Sequence, residues 1–391
     1  MIYKEEVLGN YINILSGFAF KTKDFVDVGI PIIKIKNICP PYVSLEDLTY
    51  VSKEIGEKQK KFMLSYDDVL IAMTGSHINQ WASVVGRVAR VKYTEKTLLN
   101  QRVGKITVKE NADADLDYIY YFLSQDKVKV QLAAKAGGTA NQANISATHI
   151  QELVFPCPNI ETQIRISNIL KNYDDLIENN KKQIKLLEEA AERLYREWFV
   201  ELHFPGCEYV KNVDGAPEGW VDGTVGDIAL FKRGKTITKA QIHKGNVPVV
   251  AGGLEPAYYH NVANTLAPVI TISGSGANAG FARLYNVDVF ASDCSYADSQ
   301  TTPYLFWVYC LIKDSKAKID ALQRGAAQPH VYAKDINALK IIIPTDDILD
   351  SFCKGITPYF GKIKELQRQN DLLLQARDRL LPRLMSGEEE V

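Results

Sequence analysis

The chain has 391 residues, 46% hydrophobic and 24% charged, with a formal net charge of −1. That length exceeds what one hydrophobic core usually serves, so two or more domains are expected. The near-neutral balance does not advertise a polyanion-binding protein, and no run of about 18 apolar residues offers a membrane span.

The N-terminus, Met1 to Glu6, lacks the apolar stretch of a signal peptide. Cys39, Cys157, Cys207, Cys294, Cys310 and Cys353 are scattered, with no Cys-x-x-Cys pair. Neither a zinc ribbon nor a disulfide framework is expected, and a cytoplasmic location fits.

In chain order, short β-type runs come first: Ile30–Ile35, Val69–Met73 and Val103–Val108. A helix is expected over Leu116–Lys135, then a polar loop, then the apolar run Glu152–Phe155. Pro158 marks the start of a long helix that stops near the Pro205-Gly206 breaker. The second series offers strands at Val247–Val250 and Val269–Ile272, a helix at Tyr304–Gln323, and the run Ala338–Ile343. Pro344 then opens a second long helix, which ends at Ser386-Gly387 and an acidic tail. The plan is α+β and repeated: a module at 1–158, a helix at 159–205, a module at 206–344 and a helix at 345–391. Lys and Arg against Asp and Glu number 19 to 17, 7 to 9, 13 to 12 and 7 to 9 in these four segments. The sign alternates with the plan, but each difference is small, so any affinity for a polyanion would have to come from local patches and partners.

The repeat is explicit in the residues. At a shift of 186, Ile150 falls on Ile336, Pro158 on Pro344, and Ala190, Arg193 and Leu194 on Ala376, Arg379 and Leu380. Tyr118–Tyr121 falls on Tyr304–Trp307 at the same shift. The fronts correspond only with insertions: Leu70–Ser76 resembles Val269–Ser275 at a shift of 199, and Leu8-Gly9-Asn10 resembles Val225-Gly226-Asp227 at 217. A variable front followed by an invariant back suggests a reading module on a fixed scaffold.

The scaffold carries a heptad seam. Its first copy runs Ile166, Leu170, Tyr173, Ile177, Asn180, Ile184, Leu187, Ala191, Leu194, Trp198. The second runs Phe352, Ile356, Tyr359, Ile363, Leu366, Asn370, Leu373, Arg377, Leu380, Leu384. Two helices of about 40 residues would each be about 60 Å long. They could pack separately on their own domains, but the shared register favours pairing with each other. In an antiparallel pair about a pseudo-twofold axis, Asn180 and Asn370 occupy facing a and d positions. The two amides are then expected to meet near the middle of the pair.

The loop Ser273-Gly274-Ser275-Gly276-Ala277-Asn278-Ala279-Gly280 follows a strand, but its spacing is not that of a dinucleotide loop and no long helix is expected after it. It is either a plain turn or a place where backbone N–H groups meet a phosphate. No His-Glu-x-x-His, Walker A, Gly-x-Ser-x-Gly or Asn/Asp-Pro-Pro-Tyr/Phe pattern is present, so no cofactor and no catalytic role are expected.

Two non-identical modules, each followed by a long helix with an Ala-x-(Glu/Asp)-Arg-Leu ending, resemble the type I restriction-modification specificity subunit. Gly137–Ser146 with Leu153 and Pro156-Cys157-Pro158 matches that family's module ending, and Gly325–Val331 with Leu339 and Pro344 matches it again. The resemblance implies that each module is a target recognition domain reading half of a split site in double-stranded DNA. It further implies that the helices bind methyltransferase subunits, that a translocating nuclease subunit can join, and that no membrane is involved.

Base reading in the major groove favours amides for adenine and Arg or Lys for guanine. The first module's loops offer Asn79, Gln80, Asn100, Gln101, Arg102, Thr139, Asn141 and Gln142. The second offers Lys232, Arg233, Lys235, Ser275, Asn278, Arg324, Gln328 and His330. Two other classes stay open: a protein–protein scaffold that reads no DNA, and a nucleotide-binding enzyme using the loop at 273–280.

Overall fold

In a computed structural model of the chain, the described residues are 3–139, 142–213, 215–324 and 329–391. They form two compact units, residues 1–177 with 371–391, and residues 178–370. Each unit therefore draws on both long helices, which run Ile160–Phe199 and Asp346–Ser386.

In the first unit the strand Val69–Ala72 is buried at every residue. A strand without a solvent face belongs inside a sheet. It lies between Val103–Val108 and Val88–Arg90, antiparallel to both, in a six-stranded sheet whose other edge strand beside Val103–Val108 is Ile12–Ser16. The helix Leu116–Ser124 begins where the Asp115 carboxylate accepts from the Tyr118 amide at 2.8 Å. Tyr118 through Leu123 are all buried, as expected of a helix that is apolar on every side. The expected helix over Leu116–Lys135 is in fact two. Gln125 is extended (φ −64°, ψ 140°), its buried side-chain amide donates to the Phe122 carbonyl, and a separate helix follows at Asp126–Lys135.

The module closes on itself through its first strand, Glu5–Val7, antiparallel to Val154–Pro156. The first long helix then starts at a cap, Asn159 Oδ1 accepting from the Thr162 amide at 2.9 Å. Ile166 and Leu170, both fully buried, share this unit's core with Leu384 and Met385 of the second long helix. The start of one helix packs on the end of the other, so the pair is antiparallel here. Arg377 Nη1 donates to Asp174 Oδ1 at 2.6 Å, and Tyr121 Oη donates to Asp174 Oδ2 at 2.7 Å.

In the second unit Val269–Ser273, also buried throughout, lies between Ala282–Tyr285 and Cys294–Asp298 in a four-stranded sheet. Val221–Thr224 pairs antiparallel with Lys340–Ile343, as Glu5–Val7 does with Val154–Pro156. The helix expected over Tyr304–Gln323 is again divided, into Leu305–Asp314 and Lys316–Ala321, at Ser315. Ala191 and Tyr195 share a core with Phe352, Ile356, Phe360 and Ile363, and the Trp198 and Phe352 rings are 5.5 Å apart. The pair is antiparallel here too. Asn180 and Asn370, 6% and 8% exposed, meet with Nδ2 to Oδ1 at 3.0 Å.

The buried face of each helix is broader than a strict heptad. Asp174, Tyr195 and Phe360 are buried, whereas the seam residues beside them, Tyr173, Leu194 and Tyr359, are half-buried. Leu170, Ile177, Ile356, Ile363 and Leu366 are buried; Ile184, Leu187, Leu373 and Leu380 are half-buried. A straight helix drifts about 20° per heptad, so the face moves onto the next residue. The first helix also ends at Phe199, short of the Pro-Gly breaker. His203 N bonds to Glu197 O at 2.7 Å while Leu202 takes a left-handed φ of 62°. Pro358 lies inside the second helix; Lys354, whose carbonyl it leaves without an amide, is exposed to water, so the interruption is tolerated.

One contact repeats at the start of both modules. Leu8 N donates to Leu153 O at 2.8 Å, and Val225 N to Leu339 O at 3.0 Å. Beside them, a Cβ on Gly9 would lie 2.9 Å from Gln151 Cβ, and one on Gly226 would lie 3.1 Å from Asn337 Cβ. Each glycine is required for close approach to the turn before the closing strand. Gly9→Ala and Gly226→Ala should each destabilise by about 1–3 kcal/mol, the usual range for overpacking. Thermal or urea unfolding of the two variants checks this, and unchanged midpoints would remove the steric reading.

Candidate nucleic-acid interface

In the first unit, hydrogen bonds gather the sequence candidates. Strand Thr74–Gly75 pairs with Gln142–Asn144, which pairs in turn with Gly137–Thr139. The Asn100–Arg102 turn is tied to the same place: Met73 N donates to Arg102 O at 2.9 Å, and Arg102 Nη1 lies 3.2 Å from Asn144 Oδ1 and 3.4 Å from Thr74 Oγ1. Gln101 N donates to Phe18 O at 3.0 Å. Asn79 and Gln80 lie on the short 3-10 segment Ile78–Ser83, with Ile78 and Trp81 exposed beside them. That segment is held by Arg87, whose Nη1 donates to Ala82 O at 2.8 Å and Nη2 to Ile35 O at 3.2 Å. Burial pulls the Arg87 pKa below its ordinary value. Gln142 is exposed, but on a strand rather than in a loop. Asn141 lies outside the described residues, and Thr139 is described only in its backbone pairing.

The second unit assembles the equivalent rim with different chemistry. Lys232 and Arg233 form a strand, not a loop, at the edge of the four-stranded sheet, pairing with Tyr296 and Ser295. Lys235 follows, its amide bonded to Ala291 O at 2.9 Å. Ser275 pairs with His330, and His330 with Arg324. Arg324 Nη2 bonds Asp335 Oδ1 at 2.8 Å, which leaves it partly neutralised. Arg233, Gly274, Asp293 and His330 line one depression of about 270 Å³, and the His330 ring stacks on Tyr332 at 6.0 Å. Asn278 is turned inward toward Gly252 O at 3.5 Å. Gln328 lies outside the described residues.

Two residues that sequence reading passed over shape these rims. Arg87 holds the first, and Asp293, bonded to Ser275 Oγ, shapes the second. Neither carries a local sequence signal, because Arg87 ties the segment to Ile35, 52 residues away, and Asp293 bonds to Ser275, 18 residues away.

Most amides of the glycine loop are already engaged within the protein. The amides of Gly274, Gly276, Ala279, Gly280 and Phe281 already bond to Asp293 O, Pro329 O, Gly276 O, Ser273 O and Asn278 O. A carboxylate beside Ser275 also repels an anion. A strand, Ala282–Tyr285, follows instead of a helix. Among the described residues no helix is long and apolar enough to cross a membrane.

Two like-built α+β modules with exposed polar rims, associated with paired long helices, define a duplicated recognition protein. A model of the type I restriction modification DNA specificity domain matches residues 4–189 and again residues 217–373, and the chain belongs to that family. It is 28% identical over 334 residues to the type I restriction enzyme MjaIX specificity subunit of Methanocaldococcus jannaschii, covering 78% of this chain and 76% of that one. It is 24% identical to the putative MjaX specificity subunit of the same organism, over 93% and 88%. The crystal structure of a type I restriction-modification S subunit from M. genitalium shares the fold, with a TM-score of 0.57 at 17% identity, covering 98% of this chain and 96% of that one.

Arg102 is the one candidate cation pinned by side-chain bonds to two neighbouring strands, so Arg102→Ala should cost about 1–3 kcal/mol of specific DNA affinity in the assembled complex and relax one position of the site. Binding to a set of single-base variants reads it. Equal loss on every sequence would assign Arg102 to a phosphate instead.

Proposed function

We propose that the chain is the DNA-reading, non-catalytic subunit of a type I restriction-modification complex. The modules at 1–158 and 206–344 each read one half of a bipartite site in double-stranded DNA. The helices at 159–205 and 345–391 set the separation of the half-sites and dock methyltransferase subunits, and a translocating restriction subunit joins the same assembly. Methyl transfer and cleavage belong to those partners, in the cytoplasm where the host DNA lies.

The observation that carries this reading is the double match of one DNA specificity domain, once on each module. The rims support it, since each module presents its own set of amides and cations and the two sets differ. A scaffold without DNA contact would not need two unlike polar rims on one repeated frame. The modest charge of each module implies that phosphate contacts come from few residues and from the partners, so affinity of the isolated chain should be weak and salt-sensitive.

The test is an exchange. Replacing residues 1–158 with the first module of another family member, in a host carrying the intact methyltransferase, should change one half of the methylated motif and leave the other half unaltered. Methylome sequencing reads both halves together. A change in both halves would show that the modules do not read independently, and an unchanged motif would remove the DNA-reading role of the first module.

A further inference from the structure

The internal repeat raises a question of partner choice: each half of the chain carries a module and a long helix of the same register, so either helix could in principle pair with a second copy of itself. We infer that the two helices carry a pairing code that admits only the unlike partner, written in one amide pair and one ion pair.

The contacts are heterotypic in both units. In the second, Asn180 meets Asn370 at 3.0 Å, both buried. In the first, Asp174 meets Arg377 at 2.6 Å, with Tyr121 Oη on the other carboxylate oxygen at 2.7 Å. Shifting by 186 gives what a like pair would place there. Two first helices would set Asn180 against Ile184 and Asp174 against Ala191. Two second helices would set Asn370 against Leu366 and Arg377 against Phe360. The structure shows that these substitutes are apolar in use: Ala191 and Phe360 lie in the second unit's core, where Phe360 stacks on Phe306 at 4.4 Å. Every like pair therefore buries an amide with no partner and a charge stripped of its partner across the seam, with Asp174 left to Tyr121 alone and Arg377 to Asp378 alone.

Burial alone works against the Arg377 charge, yet the bonds to Asp174 and Asp378 outweigh it and the pKa is raised above the ordinary guanidinium value. The guanidinium remains charged in its half-buried place, so losing Asp174 leaves the cation with Asp378 alone and an unlike apolar face opposite. An unpartnered buried amide and a half-buried charge without its partner across the seam together disfavour like pairs by at least about a hundredfold. The inference does not depend on what the modules bind.

The test uses the full chain carrying a protease site after Tyr209, which is 87% exposed. The protein is folded, cleaved, exchanged in intermediate urea and read by native mass spectrometry. Unlike pairs of N- and C-terminal fragments should exceed like pairs by a hundredfold or more; a statistical mixture would overturn the code. In the nicked chain bearing Asp174→Phe with Asn180→Leu, pairs of N-terminal fragments should rise to a share comparable with unlike pairs, and their continued absence would overturn the assignment to these residues. In the uncut chain, Asn180→Leu and Asn370→Leu should each lower the urea midpoint, and together lower it less than the sum. Additive losses would remove the amide pair from the code.

Discussion

A forty-residue amphipathic helix cannot hide its own apolar face. Helix propensity adds little over that length, and stability comes from what the face packs against. Each long helix here finds two surfaces, the other helix and a module, and the same residues serve both. Ile166 and Leu170 reach the first module's core as well as Leu384 and Met385. Tyr195 lies within 6.3 Å, ring to ring, of both Trp307 in the module and Phe352 in the other helix. The division into compact units follows from this. The first unit joins residues 1–177 to 371–391, because its module is complete only with a segment of the distant helix, and the second, residues 178–370, takes in the end of one long helix and the start of the other.

On that frame the rims are free to differ. The turn before the returning strand carries Arg102 in one module and Asp293 in the other; Arg102 contacts Thr74 and Asp293 contacts Ser275, two residues that the repeat does not align. One turn thus presents a cation and the other a carboxylate, at positions that the repeat does not equate. A guanidinium suits an acceptor-rich edge such as guanine, and a carboxylate suits the amino group of cytosine. The two rims therefore differ in chemistry although the frames that carry them repeat.

The repeat made the back of each module and both helices legible, because one shift of 186 aligned them without a gap. It also carried the expectation that the two off-register asparagines meet. Three features were not legible. Lys232 and Arg233 carry no alternation, so nothing in the sequence set them on an edge strand. The breaks at Gln125 and Ser315 fall in short polar runs, Ser124–Lys127 and Lys313–Lys316, that the solvated face of one longer helix could also carry, and tertiary burial of the first segment decides where the helix stops. Asp174, next to the seam residue Tyr173, lies off the heptad seam and carries no sequence signal for burial. It is buried because Arg377 and Tyr121, at 203 and 53 residues' separation, satisfy both its oxygens. Long-range satisfaction of a polar group leaves no local pattern to read.

The unequal drift of the two copies has a mechanical cause. One residue inserted in a helix turns everything beyond it by about 100°, since a turn takes 3.6 residues. Such a change between Pro158 and Leu194 would rotate Asn180 away from Asn370 and the core residues away from the module. The same holds for the closing strand, where a one-residue slip would turn Phe155 out of the core. Upstream, insertions fall where a loop leaves and rejoins a sheet, and loop closure costs grow only slowly with length. The constraint therefore begins at the helix Leu116–Ser124 and its counterpart Leu305–Asp314, whose buried faces touch the long helices. Everything before them can change length, including the rims, without disturbing how the helices pair. Reading chemistry can vary on this fold for that reason, while the pairing geometry is held by steric and hydrogen-bonding demands on both sides of the seam.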